Sequence, residues 1–361
     1  MSGYEISSYR KSLGELERKL LDHYDDALRT PGQRHEISRR VGELLPPAAA
    51  LPLRHPSLAS YTLEEVKQKY LLEFEKILEE VTWGIWYVDD RRDYYEIEDE
   101  QTRLNALSVT LVCMKDGLVD KGSGFHELRV TAYSEKYSLS RQEKFYSQPV
   151  ISGPCSSGVL VAEDIVLLAG HFLIFRRSVE KLRFVFGYVM IDPVTALTTI
   201  PDENIYSGIE IIQERGDICG PSPSGSDWGL VRLDRPVQGQ EIATLSTTPV
   251  YYEQPLYSLG FPCTLPLKQA AGVISGVQKA YFKAEMSGFD GSSGSPVFDC
   301  ETHQLVGIIT RGDGQDFKGT GRGNISMVYP NDEVESEGVL CTKVSEFREF
   351  LEREEEPGGW L

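Results

Sequence analysis

The residues best suited to do chemistry lie in Phe289-Asp290-Gly291-Ser292-Ser293-Gly294-Ser295-Pro296-Val297-Phe298. Glycines flank a serine pair there, and glycine supports the tight backbone that an exposed nucleophile needs. Glycine also lets main-chain N–H groups converge on one point, as an oxyanion requires. A serine hydroxyl is a poor nucleophile at neutral pH and needs a base within hydrogen-bond reach. The base in turn needs an acceptor that fixes its tautomer. Two other stretches supply these partners. Ala169-Gly170-His171 ends a strand-turn-strand pattern, and Asp227 stands directly before the apolar run Trp228–Leu233. The chain order is His171, Asp227, Ser293.

Strands must position these three side chains. Runs at 108–112, 157–162, 165–169, 182–189, 228–233, 256–260, 272–277 and 305–310 are short and apolar, with turn signals between them. Many such strands predict a barrel or sandwich. Val344, Phe347 and Leu351 form one face of a last helix.

The N-terminal part reads differently. Leu13, Leu16, Leu20, Tyr24 and Leu28 recur at helical steps, as do Ile37, Val41, Leu44 and Leu45. Thr62 and Glu65 form a capping box for a third helix carrying Val66, Tyr70, Phe74, Ile77 and Val81. Residues 88–103 read as an acidic connector. Nothing in this part forms a catalytic constellation.

The formal net charge of −18 disfavours a nucleic-acid partner, whose phosphates would be repelled. No apolar run is long enough to span a bilayer, so no membrane association is expected. Met1–Arg10 lacks the apolar core of a signal peptide, which points to a cytoplasmic protein. The six cysteines show no Cys-x-x-Cys spacing and are expected as free, mostly buried thiols rather than a zinc site.

Taken together, the three segments resemble the trypsin-like, chymotrypsin-fold serine peptidases. In style they are nearest the bacterial glutamyl-endopeptidase-like branch, which uses Gly-x-Ser-Gly-Ser-Pro. The resemblance spans roughly residues 103 to 350. An α/β-hydrolase is disfavoured, because its elbow is Gly-x-Ser-x-Gly and position 295 is Ser.

The resemblance implies a mainly β fold with two six-stranded barrels and a C-terminal helix, preceded by a small helical domain. It divides the chain into a helical domain and connector over 1–95 and a peptidase domain over 96–361. It implies His171 as base, Asp227 as orienting acid and Ser293 as nucleophile. The amides of Gly291 and Ser293 would form the oxyanion hole. Counting from the nucleophile brings Ser287 and Gly288 to the primary pocket, and Thr310, Arg311 and Gly312 to the substrate-pairing strand. Neutral Ser287 gives no case for cleavage after Lys or Arg. Where trypsins have an acid before the nucleophile this chain has Ser292, which argues against activation by N-terminal cleavage. The expected activity is a serine endopeptidase acting on protein or peptide substrates, with no metal or organic cofactor. A protein partner could act through the helical domain. The alternative is a catalytically idle trypsin fold serving as a binding module.

Overall fold

In the computed structural model, residues 89–355 are described, except 177, 217–225, 313–315, 321 and 329–337. The three helices expected before residue 82 lie outside the described residues. The barrels belong to one compact unit, Asp89–Met327 with Val334–Leu361.

The connector expected over 88–103 is built into this unit. Its first strand, β1 (Arg92–Asp93), is followed by a short helix, α1 (Glu100–Leu107), whose N-cap Asp99 accepts from the Thr102 amide. The first barrel then comprises β2 (Val109–Met114), β3 (Cys155–Ala162), β4 (Ile165–Leu168), β5 (Leu182–Phe186), β6 (Ile205–Arg215) and β7 (Trp228–Leu233). These strands run in the order β6-β7-β4-β3-β2-β5, and β5 pairs with β6 to close the ring. The second barrel comprises β8 (Pro255–Gly260), β9 (Lys268–Val277), β10 (Tyr281–Met286), β11 (Pro296–Asp299), β12 (Leu305–Gly312) and β13 (Val339–Lys343). Its order is β9-β8-β11-β12-β13-β10, closed by β9 against β10, with β1 added at the side of β9.

The near-continuous apolar character of β2 and β5 has a physical cause, since both of their faces are buried. Val112, Phe184, Phe186 and Val231 meet in one cluster among first-barrel strands. Their alternate neighbours Leu111, Val185 and Leu230 join a larger cluster shared with Tyr257, Leu259 and Ile308 of the second barrel. Period-2 alternation distributes side chains to both faces, and here neither face is left to water. The C-terminal helix α3 (Arg348–Glu355) follows a 3-10 turn. Val344, Phe347 and Leu351 are buried, and the rings of Phe347 and Phe350 pack at 6.0 and 5.2 Å from Trp228. This packing braces the start of β7, next to Asp227.

Candidate active site

His171 stands at the start of a short helix, α2 (Gly170–Arg176), directly after β4. Asp227 precedes β7, the antiparallel neighbour of β4 in the first barrel. Adjacent strand ends therefore bring the two residues together across 56 residues of sequence. The Asp227 carboxylate engages His171 twice. Oδ2 lies 2.7 Å from the ring Nδ1, and Oδ1 accepts from the His171 backbone N–H at 2.9 Å. A carboxylate can only accept, so Nδ1 carries the proton and Nε2 is the basic nitrogen. Asp227 is almost fully buried, while the His171 side chain keeps 23% exposure.

The second barrel holds Asp227 in turn. The Asp227 amide donates to Thr342 Oγ1 at 3.1 Å, and that hydroxyl donates to the Asp227 carbonyl at 3.0 Å. Thr342 lies on β13 and is fully buried. Sequence reasoning missed it; a lone threonine in an apolar strand carries no sign of a partner 115 residues away.

The serine loop is two turns in succession. The Ser292 amide donates to the Phe289 carbonyl at 2.9 Å, and the Ser295 amide to the Ser292 carbonyl at 2.9 Å. The third residue of each turn is glycine with positive φ, +87° at Gly291 and +82° at Gly294. Type II turns demand that conformation at that position, and side-chain-bearing residues resist it. At Gly294 the space is closed as well, since an added Cβ would lie 2.0 Å from the Ser157 carbonyl oxygen. The same position is 3.2 Å from the Ala169 amide nitrogen, two residues before His171. The serine loop is thus seated against the segment that carries the imidazole.

β3 fastens the loop further. The Ser293 carbonyl accepts from the Ser157 amide at 2.8 Å and from Ser156 Oγ at 2.6 Å. Ser157 Oγ donates to the Gly291 carbonyl at 3.1 Å. Two serines within an otherwise apolar strand were the sequence signal for this anchor, and the periodicity argument passed over them. The Asp290 carbonyl accepts from the Cys263 amide at 2.5 Å. In a trans peptide the N–H points opposite to the C=O, so the Gly291 N–H is turned away from Cys263. The neighbouring amides of Ser292, Gly294 and Ser295 are engaged, whereas those of Gly291 and Ser293 find no acceptor among the described residues.

Beside half-buried Ser293 opens a cleft of about 310 Å³. Gly288, Arg311 and Gly312 are among its lining residues. Ser287 and Thr310 are not among the lining residues. Ser287 Oγ donates to Asp90 Oδ1 at 3.3 Å, and Thr310 Oγ1 to the Leu340 carbonyl at 3.2 Å. Phe289, Asp290 and Asp316 complete much of the wall. Burial raises the Asp316 carboxyl above its ordinary range, partly offset by the Asp290 N–H that donates to it at 3.0 Å. Neither His126 nor Asp234 joins the His171–Asp227 pair: His126 is bonded to Asp202, and Asp234 accepts from the Ser207 amide.

Among the described residues, Cys113, Cys155, Cys263, Cys300 and Cys341 form no disulfide. Burial pushes the Cys113 and Cys300 thiols up to about 12, the opposite of what a nucleophilic cysteine requires.

Residues 156–308 match the family model described as a trypsin-like peptidase domain. Over that span the chain is similar to trypsin-like peptidase domains. A solved structure of a Glu endopeptidase in complex with MPD is similar at 14% identity and a TM-score of 0.45, with 74% of this chain and 97% of that chain covered. No curated protein matches the sequence.

Proposed function

We propose that this peptidase is a serine endopeptidase that works through His171, Asp227 and Ser293. The observation that carries the reading is the double engagement of His171 by the buried Asp227 carboxylate, at 2.7 Å to the ring and 2.9 Å to the backbone N–H. A surface histidine needs no such arrangement. His126 makes one bond to an exposed carboxylate.

In this reading, Ser293 Oγ attacks the scissile carbonyl carbon while its proton passes to His171 Nε2. The carbonyl oxygen becomes an oxyanion stabilised by the Gly291 and Ser293 amides. Collapse breaks the C–N bond, and His171 gives its proton to the leaving amine. Water then adds to the acyl-enzyme by the same route and frees Ser293. Asp227 stays a carboxylate throughout and steadies the imidazolium. Gly288, Arg311 and Gly312 belong to the substrate cleft, and the chemistry asks for no metal or organic cofactor. The substrates are proteins or peptides, and residues 1–85 are a region for a protein partner.

Incubation with a fluorophosphonate, followed by peptide mass mapping, tests the reading. The expected result is one phosphonyl adduct on Ser293, lost in His171→Ala. A full-length chain that stays unlabelled would instead support the idle binding module.

A further inference from the structure

The segment before the first barrel contains the most unusual side chain among the described residues. Arg91 is 1% exposed, and its Nη1 is buried without a hydrogen-bond partner among the described residues. Arginine is almost never buried unless paired, and desolvating it is costly. Its guanidinium forks onto Asp89, Nε to Oδ1 at 2.8 Å and Nη2 to Oδ2 at 2.5 Å. Its Cζ lies over the Phe289 ring, 4.1 Å from the centroid. Phe289 lines the cleft beside Ser293. Phe289 is also tied to the serine turn in both directions, its amide donating to Ser292 Oγ at 3.1 Å and its carbonyl accepting from the Ser292 amide.

The neighbouring residue grips the same wall. Asp90 accepts from Ser287 Oγ through one carboxylate oxygen and from the Ala271 amide, at 3.1 Å, through the other. Three residues after Asp90, Asp93 pairs with Lys268 at 2.6 Å, both almost fully buried, and sits in β1 opposite it. The strap is therefore pinned to β9 at Asp93 and supports residues 287–289 with Asp90 and Arg91.

We propose that residues 89–93 are a positioning strap for the peptidase site, with Asp90 and Arg91 holding residues 287–289 so that Gly288 and Phe289 set the cleft wall that receives the substrate side chain next to the cut bond. The inference rests on the peptidase reading above. Its physical basis is the choice of side chain. A strap that merely filled space would present apolar groups. A buried cation fixes one position over an aromatic ring, because the ring quadrupole attracts it more strongly once both are desolvated. A wall residue displaced by about 1 Å can cost on the order of 10²-fold in rate.

The test uses the full-length chain and its Arg91→Met and Arg91→Lys variants. Each is assayed with ethyl fluorophosphonate, which carries no amino-acid side chain. Each is also assayed with peptide anilides that differ only in the residue whose carbonyl is attacked. Arg91→Met should lose on the order of 10²-fold in kcat/KM for the anilides with large side chains at that residue. Its labelling rate should fall much less, and Arg91→Lys should recover part of the loss. Equal losses with probe and anilides, or unchanged kcat/KM in folded Arg91→Met, would overturn the proposal. If Arg91→Met does not fold, Asp90→Ala takes its place with the same two outcomes. Failure of the wild-type chain to label at all would overturn the peptidase reading instead, so the two failures are distinct.

Discussion

Thr342 Oγ1 bridges the backbone of Asp227 from the other barrel, accepting from its amide at 3.1 Å and donating to its carbonyl at 3.0 Å. One hydroxyl thus satisfies two buried backbone groups at the point where the first barrel delivers its acid. Thr342→Val keeps the shape and removes both bonds. Each stranded group costs about 1–3 kcal/mol. We expect Thr342→Val to lower the unfolding free energy by at least about 1 kcal/mol, read by urea titration. Turnover should fall as well, because Asp227 loses its seat. Wild-type stability in the variant would show that the bridge contributes little.

Ser293→Ala and His171→Ala should each lower kcat by about 10⁶-fold, with the double variant no worse, because the members of such a site act as a unit. Asp227→Asn should cost about 10⁴-fold by favouring the wrong imidazole tautomer. Steady-state kinetics on a peptide anilide check both statements. Additive losses would mean that His171 and Ser293 act independently.

Gly294→Ala tests the loop without touching a reacting atom. The φ of +82° alone costs a side-chain-bearing residue about 1–2 kcal/mol. The added methyl would also lie 2.0 Å from the Ser157 carbonyl oxygen, which is backbone and cannot swing aside. The loop must lift off β3, and we expect phosphonate labelling of Ser293 to be lost while the circular dichroism of the barrels persists. Labelling at the wild-type rate would show that the contact with β3 is not needed to present the serine.

The Lys268–Asp93 pair makes a pH-dependent prediction. Burial lowers the Lys268 ammonium from 10.5 to about 8, although Asp93 lies beside it and pulls the other way. Between about pH 8 and 10.5 the unfolded chain therefore holds more protons at this residue than the folded chain does. The contribution of Lys268 to unfolding free energy rises with pH across that window and is flat below it. Lys268→Met should remove this rise. At pH 7 it should also destabilise the protein by about 3–5 kcal/mol, because Asp93 is left buried without its cation. Adding Asp93→Asn should recover part of that loss. Urea titrations at pH 7, 8.5 and 10 would reveal a wild-type curve parallel to that of Lys268→Met if the pair were not coupled to folding.

Local pattern carried much of the molecule. The strands expected at 157–162 and 228–233 fall within β3 and β7, and that at 165–169 overruns β4 by one residue, because a strand buried on both faces writes itself as a continuous apolar run. The Gly-x-Ser-Gly spacing specified the turns around Ser293, since positive φ is a local demand that only a few residues meet. His171 and Asp227 could be singled out because each sits at the end of such a run.

What only the tertiary structure decided lies in pairings between distant, individually ordinary residues. Thr342 beside Asp227, Ser156 and Ser157 beneath Ser293, and Arg91 against Phe289 leave no periodic trace. Each is set by which strand ends the closed barrels bring together. The acidic stretch from residue 88 read as a connector because charge predicts solvent. Arg91, Asp93 and Lys268 are nonetheless buried, Arg91 forked onto Asp89 and Lys268 paired with Asp93. A sequence records the charge of a residue; whether that charge meets water or its counter-ion is decided by the fold.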